Sequence, residues 1–159
     1  YPLPESQLDR FLLKLSVGYP SRADEGLILG SEGAHPGLAT LRPVVGVDHI
    51  MAMSAHCRRV HISPTLTSYL LDVATATRTH RSLSLGMSPR ATLGLQRAVQ
   101  VRAAAQGRDH GTPDDVKALA VPTLAHRLVV TPEAQIQGVG PAEVLIEILD
   151  SVAVPRDAR

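Results

Sequence analysis

Ser88-Pro89-Arg90 places a cation in the first turn of a helix, where backbone N–H groups already carry partial positive charge. In isolation that placement costs a few tenths to about 1 kcal/mol. A bound anion would reverse the sign, because free N–H groups and a guanidinium together form a phosphate-type site. Arg10, in LPESQLDRF, is the second candidate. On spacing alone it is an exposed helix arginine, weakly paired with Glu5 or Asp9. No nucleophile–base pair or carboxylate cluster stands out. The seven histidines include no H-x₃-H pair and the lone Cys57 no C-x₂-C pair, so no metal site is expected.

Bulk composition narrows the rest. With 44% hydrophobic residues but only 3% aromatic and no Trp, the 159-residue chain suits an aliphatic helical core. Three Tyr and one Phe offer little for base or sugar stacking. A net charge of +1 argues against nucleic acid or membrane attraction. One cysteine, no signal peptide and no membrane-length apolar run make a cytoplasmic protein the expectation. The chain opens on Tyr1-Pro2 without a Met, which raises the expectation of sequence upstream.

The elements that must position the two arginines follow from periodicity and punctuation. Pro4 opens a short helix, and alternation over residues 12–17 predicts a strand ended by Gly18-Tyr19-Pro20. Ser21 caps a helix to about Leu29. Glycines and prolines between Gly30 and Pro43 read as a linker. A helix from about Asp48 to Arg59 would turn Ile50, Met53 and Cys57 to one face, although the Gly46-Val47 region marks its start weakly. Ser63-Pro64 opens a helix with Leu66, Tyr69, Leu70, Val73, Ala74 and Thr77 inward. Ser88-Pro89 opens another with Ala91, Leu95, Ala98 and Val99 inward, ended by Gly107. Thr112 and Asp115 suggest a capping box for a helix broken at Pro122. A helical turn to about His126 and extended chain to Val130 follow. Pro141 starts the last helix, with Val144, Leu145, Ile148 and Leu149 inward. The predicted strand needs a partner: 128–130, an element near the terminus, or a sheet in absent sequence.

LPESQLDRF and SPRA, on opposite sides of the linker, resemble the C-terminal third of MoxR-type AAA+ ATPases, a group related to the magnesium chelatase small subunit. The resemblance continues through FLLKLSVGYP, VHIS, ATRTH, GRDHGTPDDVKALA, LAHRLVV and EILDSVAVP. It implies a mainly α fold: residues 1–30 as a remnant of an α/β ATP-binding core (one helix, one strand), 31–45 as linker, and 46–155 as the helical lid bundle. It further implies that Arg10 is an arginine finger reaching the neighbouring subunit's ATP, and Arg90 the sensor 2 residue of its own subunit. A finger of this kind is worth about 10³–10⁵ in rate where measured in NTPases.

The same resemblance implies ATP and Mg²⁺ as cofactors of the intact protein, with none bound to this segment. It implies a homo-oligomeric ring, taken as a hexamer, acting on a client or a von Willebrand A-domain partner in chaperone-like maturation, such as metal or cofactor insertion. No G-x-x-x-x-G-K-[ST] occurs, so this segment alone is not expected to hydrolyse ATP. Val144–Asp150 imitates a Walker B strand but fits the amphipathic last helix better. Arg58, Arg59, His61, Arg78, His80 and Arg81 read as a solvated basic face. The competing expectation is a stand-alone helical interaction module or a helix-turn-helix that binds nucleic acid.

Overall fold

A capping hydroxyl followed by proline starts four helices, and the pair sets where each begins. The structure, a computed structural model, describes residues 3–30 and 40–155. Its elements in chain order are α1 (Glu5–Leu8), α2 (Arg22–Gly30), α3 (Val47–Arg58), α4 (Pro64–Thr79), β1 (Leu83–Leu85), α5 (Pro89–Ala105) and α6 (Pro113–Leu124). A 3₁₀ turn (Ala125–Arg127), β2 (Val129–Val130), α7 (Pro132–Ile136) and α8 (Pro141–Ser151) complete them. Ser63, Ser88, Thr112 and Thr131 each accept the backbone N–H three residues on, at 3.1–3.3 Å. Proline supplies the fixed φ and lacks an N–H that would need a partner, while each cap is worth about 1 kcal/mol.

Packing divides the chain into two units. The described residues of Tyr1–Lys14 join those of Ser54–Arg159, and Leu15–Met53 forms the other unit. This division differs from the expected 1–30, 31–45 and 46–155 segments. Asp9, Phe11 and Lys14 all hydrogen-bond to later residues of the larger unit, and that draws residues 3–14 into it. Of the expected linker, residues 31–39 lie outside the described residues.

The larger unit is a helical bundle whose core was legible from spacing. Leu66, Tyr69, Leu70, Val73, Ala74 and Thr77 are the buried residues of α4, and Val144, Leu145, Ile148 and Leu149 those of α8. All of these except Thr77 meet Ala91, Leu95 and Val99 of α5 and Val116, Ala120 and Leu124 of α6 in one cluster. Each fully buried Leu, Ile or Val contributes about 1.5–3 kcal/mol. Gly107, at φ 73°, occupies the left-handed position just beyond α5 that glycine fills without strain.

Several expectations need correction. Residues 12–17 form no strand; the backbone bond found there is Lys14 N–H to the Pro122 carbonyl at 2.9 Å. Residues 129–130 instead pair antiparallel with β1, in the register Leu83 to Val130. Pro122 does not break α6 but sits within it. A proline in the last turn removes one intrahelical bond, and the helix ends two residues later at Leu124. The expected helical turn to about His126 is present as the 3₁₀ turn, which runs one residue further and takes in Arg127. The face of α3 carrying Ile50 and Met53 is not buried, and both residues are about half exposed.

In the smaller unit, Ser21 caps α2 by accepting Asp24 N–H at 3.2 Å. The weakly marked start of α3 is supplied by Gly46, whose N–H donates to His49 Nδ1 at 3.3 Å.

Candidate phosphate-sensing site

Arg90 stands at the second position of α5, and the loop before it is pinned to the end of α4. Gly86 lies so close to that end that a Cβ would come within 2.7 Å of the Arg78 backbone and the Thr77 carbonyl. Met87 N–H donates to Thr77 Oγ1 at 3.0 Å, and Arg78 Nε donates to the Met87 carbonyl at 2.8 Å. Arg78 is therefore an anchor of this loop, not merely part of a solvated basic face. With the Met87 side chain buried, the backbone entering α5 has little freedom.

Ser88 then uses its hydroxyl twice. It accepts Ala91 N–H at 3.1 Å as the helix cap and donates to Asp9 Oδ1 at 2.9 Å. The two motifs are thus joined through a single carboxylate. Asp9 Oδ1 also lies 3.5 Å from Arg127 Nη1, and Arg127 Nη2 donates to the Phe11 carbonyl at 2.6 Å. His126 Nε2 lies 2.9 Å from the same carbonyl and must carry the hydrogen to bond it. That leaves it no lone pair for Arg127 Nε at 3.4 Å, so those two groups are merely in contact. Nδ1 of His126 is buried without a partner among the described residues.

The two predicted arginines behave alike. Arg10 and Arg90 are both exposed, and among the described residues neither side chain makes a hydrogen bond or ion pair. Arg127 is the opposite: only 6% exposed, with its fork spent on Asp9 and Phe11. Burial pushes the Arg127 guanidinium below its ordinary pKa, Asp9 pulls it back, and nearby Arg90 lowers it further. Asp9, His126 and Arg127 were not singled out from sequence. The one signal was LAHRLVV, a motif whose basic pair precedes an apolar run that begins with the buried Leu128.

At the start of α5, Pro89 has no N–H, Ala91 N–H goes to Ser88 Oγ, and Thr92 N–H goes to the Ser88 carbonyl at 3.0 Å. Arg90's own N–H and guanidinium are what remain to meet an anion. The arrangement can do electrostatics and positioning; among the described residues no three His, Cys, Asp or Glu converge as a metal site.

A second ionic centre lies on α5 and α6. Asp115, nearly buried, accepts from Arg108 through both oxygens at 2.7 and 2.8 Å, from Arg102 Nε at 3.1 Å and from Thr112 N–H and Oγ1. The expected Thr112–Asp115 capping box is present. Burial alone would raise the Asp115 carboxyl, but the Arg108 fork and Thr112 hold it below the usual range.

Residues 75–148 match the AAA lid domain. The chain is 34% identical to the chaperone MoxR1 of Mycobacterium tuberculosis over 98% of its own length. It is 39% identical to the uncharacterized protein YeaC of Bacillus subtilis, again over 98%, and 28% identical to MoxR of Paracoccus denitrificans over 83%. This chain carries a MoxR-type AAA+ lid region.

Fold agrees with sequence. A solved structure from Cytophaga hutchinsonii, assigned to the ATPases, superposes with a TM-score of 0.85 at 26% identity, covering 98% of this chain and 50% of that one. The matches span 48%, 43% and 44% of YeaC, MoxR1 and MoxR, so the chain covers about half the length of these relatives. Within the MoxR-type lid, the AAA lid match runs from α4 into α8 and encloses both Arg90 and Arg127. Among the described residues no helix is long and apolar enough to cross a membrane.

Proposed function

We propose that this lid region couples ATP binding and hydrolysis to remodelling of client proteins in a MoxR-type ring. Arg90 acts as sensor 2 on the nucleotide of its own subunit, and Arg10 as the arginine finger on that of the neighbour. The observation that carries the reading is the Asp9–Ser88 hydrogen bond. It ties together the two segments that bear exposed, uncompensated guanidiniums. Their exposure suits phosphate oxygens, which are matched by a planar guanidinium fork.

ATP with Mg²⁺ would supply the phosphoryl group when bound. The residues of this chain orient and neutralise charge: Arg90 from the start of α5, and Arg10 across a subunit boundary. Ring assembly follows from the need for Arg10 to meet another subunit's phosphates, with a hexamer as the expected size. The name of one relative, the chaperone MoxR1, supports a role in maturing partner proteins. We extend that role to a von Willebrand A-domain partner and to metal or cofactor insertion. We place this work in the cytoplasm.

In the full-length protein, Arg10→Ala should lower ATPase activity about 10³-fold or more while leaving ATP binding intact. Arg90→Ala should weaken nucleotide response at its own site. Full ATPase activity in Arg10→Ala would sink the finger assignment.

A further inference from the structure

The residues on both sides of Arg10 are held by residues that come much later in the chain. On one side Asp9 Oδ1 takes the Ser88 hydroxyl and faces Arg127; on the other the Phe11 carbonyl takes Arg127 Nη2 and His126 Nε2. Leu12 presses on α5 at Gly94, where a Cβ would come within 3.2 Å of Leu12 Cδ1 and 3.8 Å of the Arg127 guanidinium. The bonds engage backbone and Asp9 only, so the tips of Arg10 and Arg90 stay clear.

We propose that Asp9, Ser88 and Arg127 are positioning residues that make the Arg10 segment travel with the lid. Displacement of the lid by the nucleotide of one subunit is then delivered through Arg10 to the neighbour's site. This rests on the roles proposed above for Arg10 and Arg90. A segment fastened at Asp9 and Phe11 to the start of α5 and to the 3₁₀ turn has no independent path. The spacing of Arg10 and Arg90 is fixed, and the two arginines report as one body.

Ser88→Asp tests the tie without removing the cap, since Asp caps a helix as well as Ser. It sets two carboxylates against each other. Adding Asp9→Asn lets an amide donate where the hydroxyl did, and the pair should recover. Spin labels on Gln7→Cys and Arg97→Cys, in full-length Cys57→Ser protein diluted with unlabelled subunits, read the distance directly.

The unmodified tie should give one narrow distance that is the same with and without a non-hydrolysable ATP analogue. Ser88→Asp should broaden it, and Asp9→Asn with Ser88→Asp should narrow it again. ATPase activity should fall about tenfold in Ser88→Asp, within the usual span of coupling between sites. Should Ser88→Asp fail to fold in a thermal melt, Asp9→Ala replaces it with the same expected broadening.

A distance that shifts with nucleotide in the unmodified tie overturns the proposal. So does broadening that the double variant leaves in place. If Arg10→Ala is inactive as expected while Ser88→Asp keeps a narrow distance, this inference fails alone. Full activity in Arg10→Ala overturns the finger role itself, and the delivery step with it.

Discussion

Arg127 Nη2 donates to the Phe11 carbonyl at 2.6 Å across a sequence separation of 116 residues. A buried guanidinium normally seeks a carboxylate at close range. Here its nearer bond is to a backbone carbonyl, with Asp9 held farther off at 3.5 Å. The fork serves to fix chain geometry as much as to balance charge.

Arg127→Met should therefore loosen residues 9–11 first. Hydrogen bonds from charged groups are worth about 1.5–3 kcal/mol, and a loss in that range is expected for the unit. Hydrogen exchange at Phe11 and Lys14 should quicken more than exchange in α4. Equal quickening everywhere would contradict a local clasp.

Asp115→Ala should destabilise the larger unit by about 2–4 kcal/mol, below the full range for a buried pair because Arg102 and Arg108 are partly exposed. The pH dependence has a definite sign. The folded carboxyl is depressed, so its contribution is complete above the ordinary carboxyl value of about 3.9 and is lost as pH falls through the folded one. Denaturant melts at pH 7 and in acid should show wild type and variant converging in acid. A gap that stays constant into strong acid would refute the linkage.

Gly86→Ala should cost about 1–3 kcal/mol, because its Cβ meets rigid backbone of α4 rather than a movable side chain. The displaced loop carries Met87 and Ser88, so the Asp9 contact should weaken with it. Chemical denaturation of the variant checks the first effect. Exchange at Ala91, whose N–H the Ser88 hydroxyl holds, checks the second.

The faces of α4 and α8 were legible because a 3.6-residue period and a proline start point to one answer. The fate of residues 12–17 was not. The alternating Leu13, Leu15 and Val17 are all exposed, while Leu12 packs near Gly94 and the Lys14 N–H finds Pro122, contacts that local pattern does not encode. Residues 83–85 and 132–136 are too short for periodicity to reveal. Arg10 and Arg90 could be named from motifs, but Arg127 is defined by partners 116 and 118 residues away. Spacing rules do not reach that far.

Those separations also order events during synthesis. At about 5–20 residues per second, Arg127 is added roughly 6–23 s after Phe11. Until then the Phe11 carbonyl lacks the 3₁₀ turn that holds it, although Gly94 of α5, which Leu12 packs against, has already been made. The segment bearing Arg10 is thus made early and seated late. The backbone beside Arg10 is clasped only after α4, α5 and α6 have all been translated.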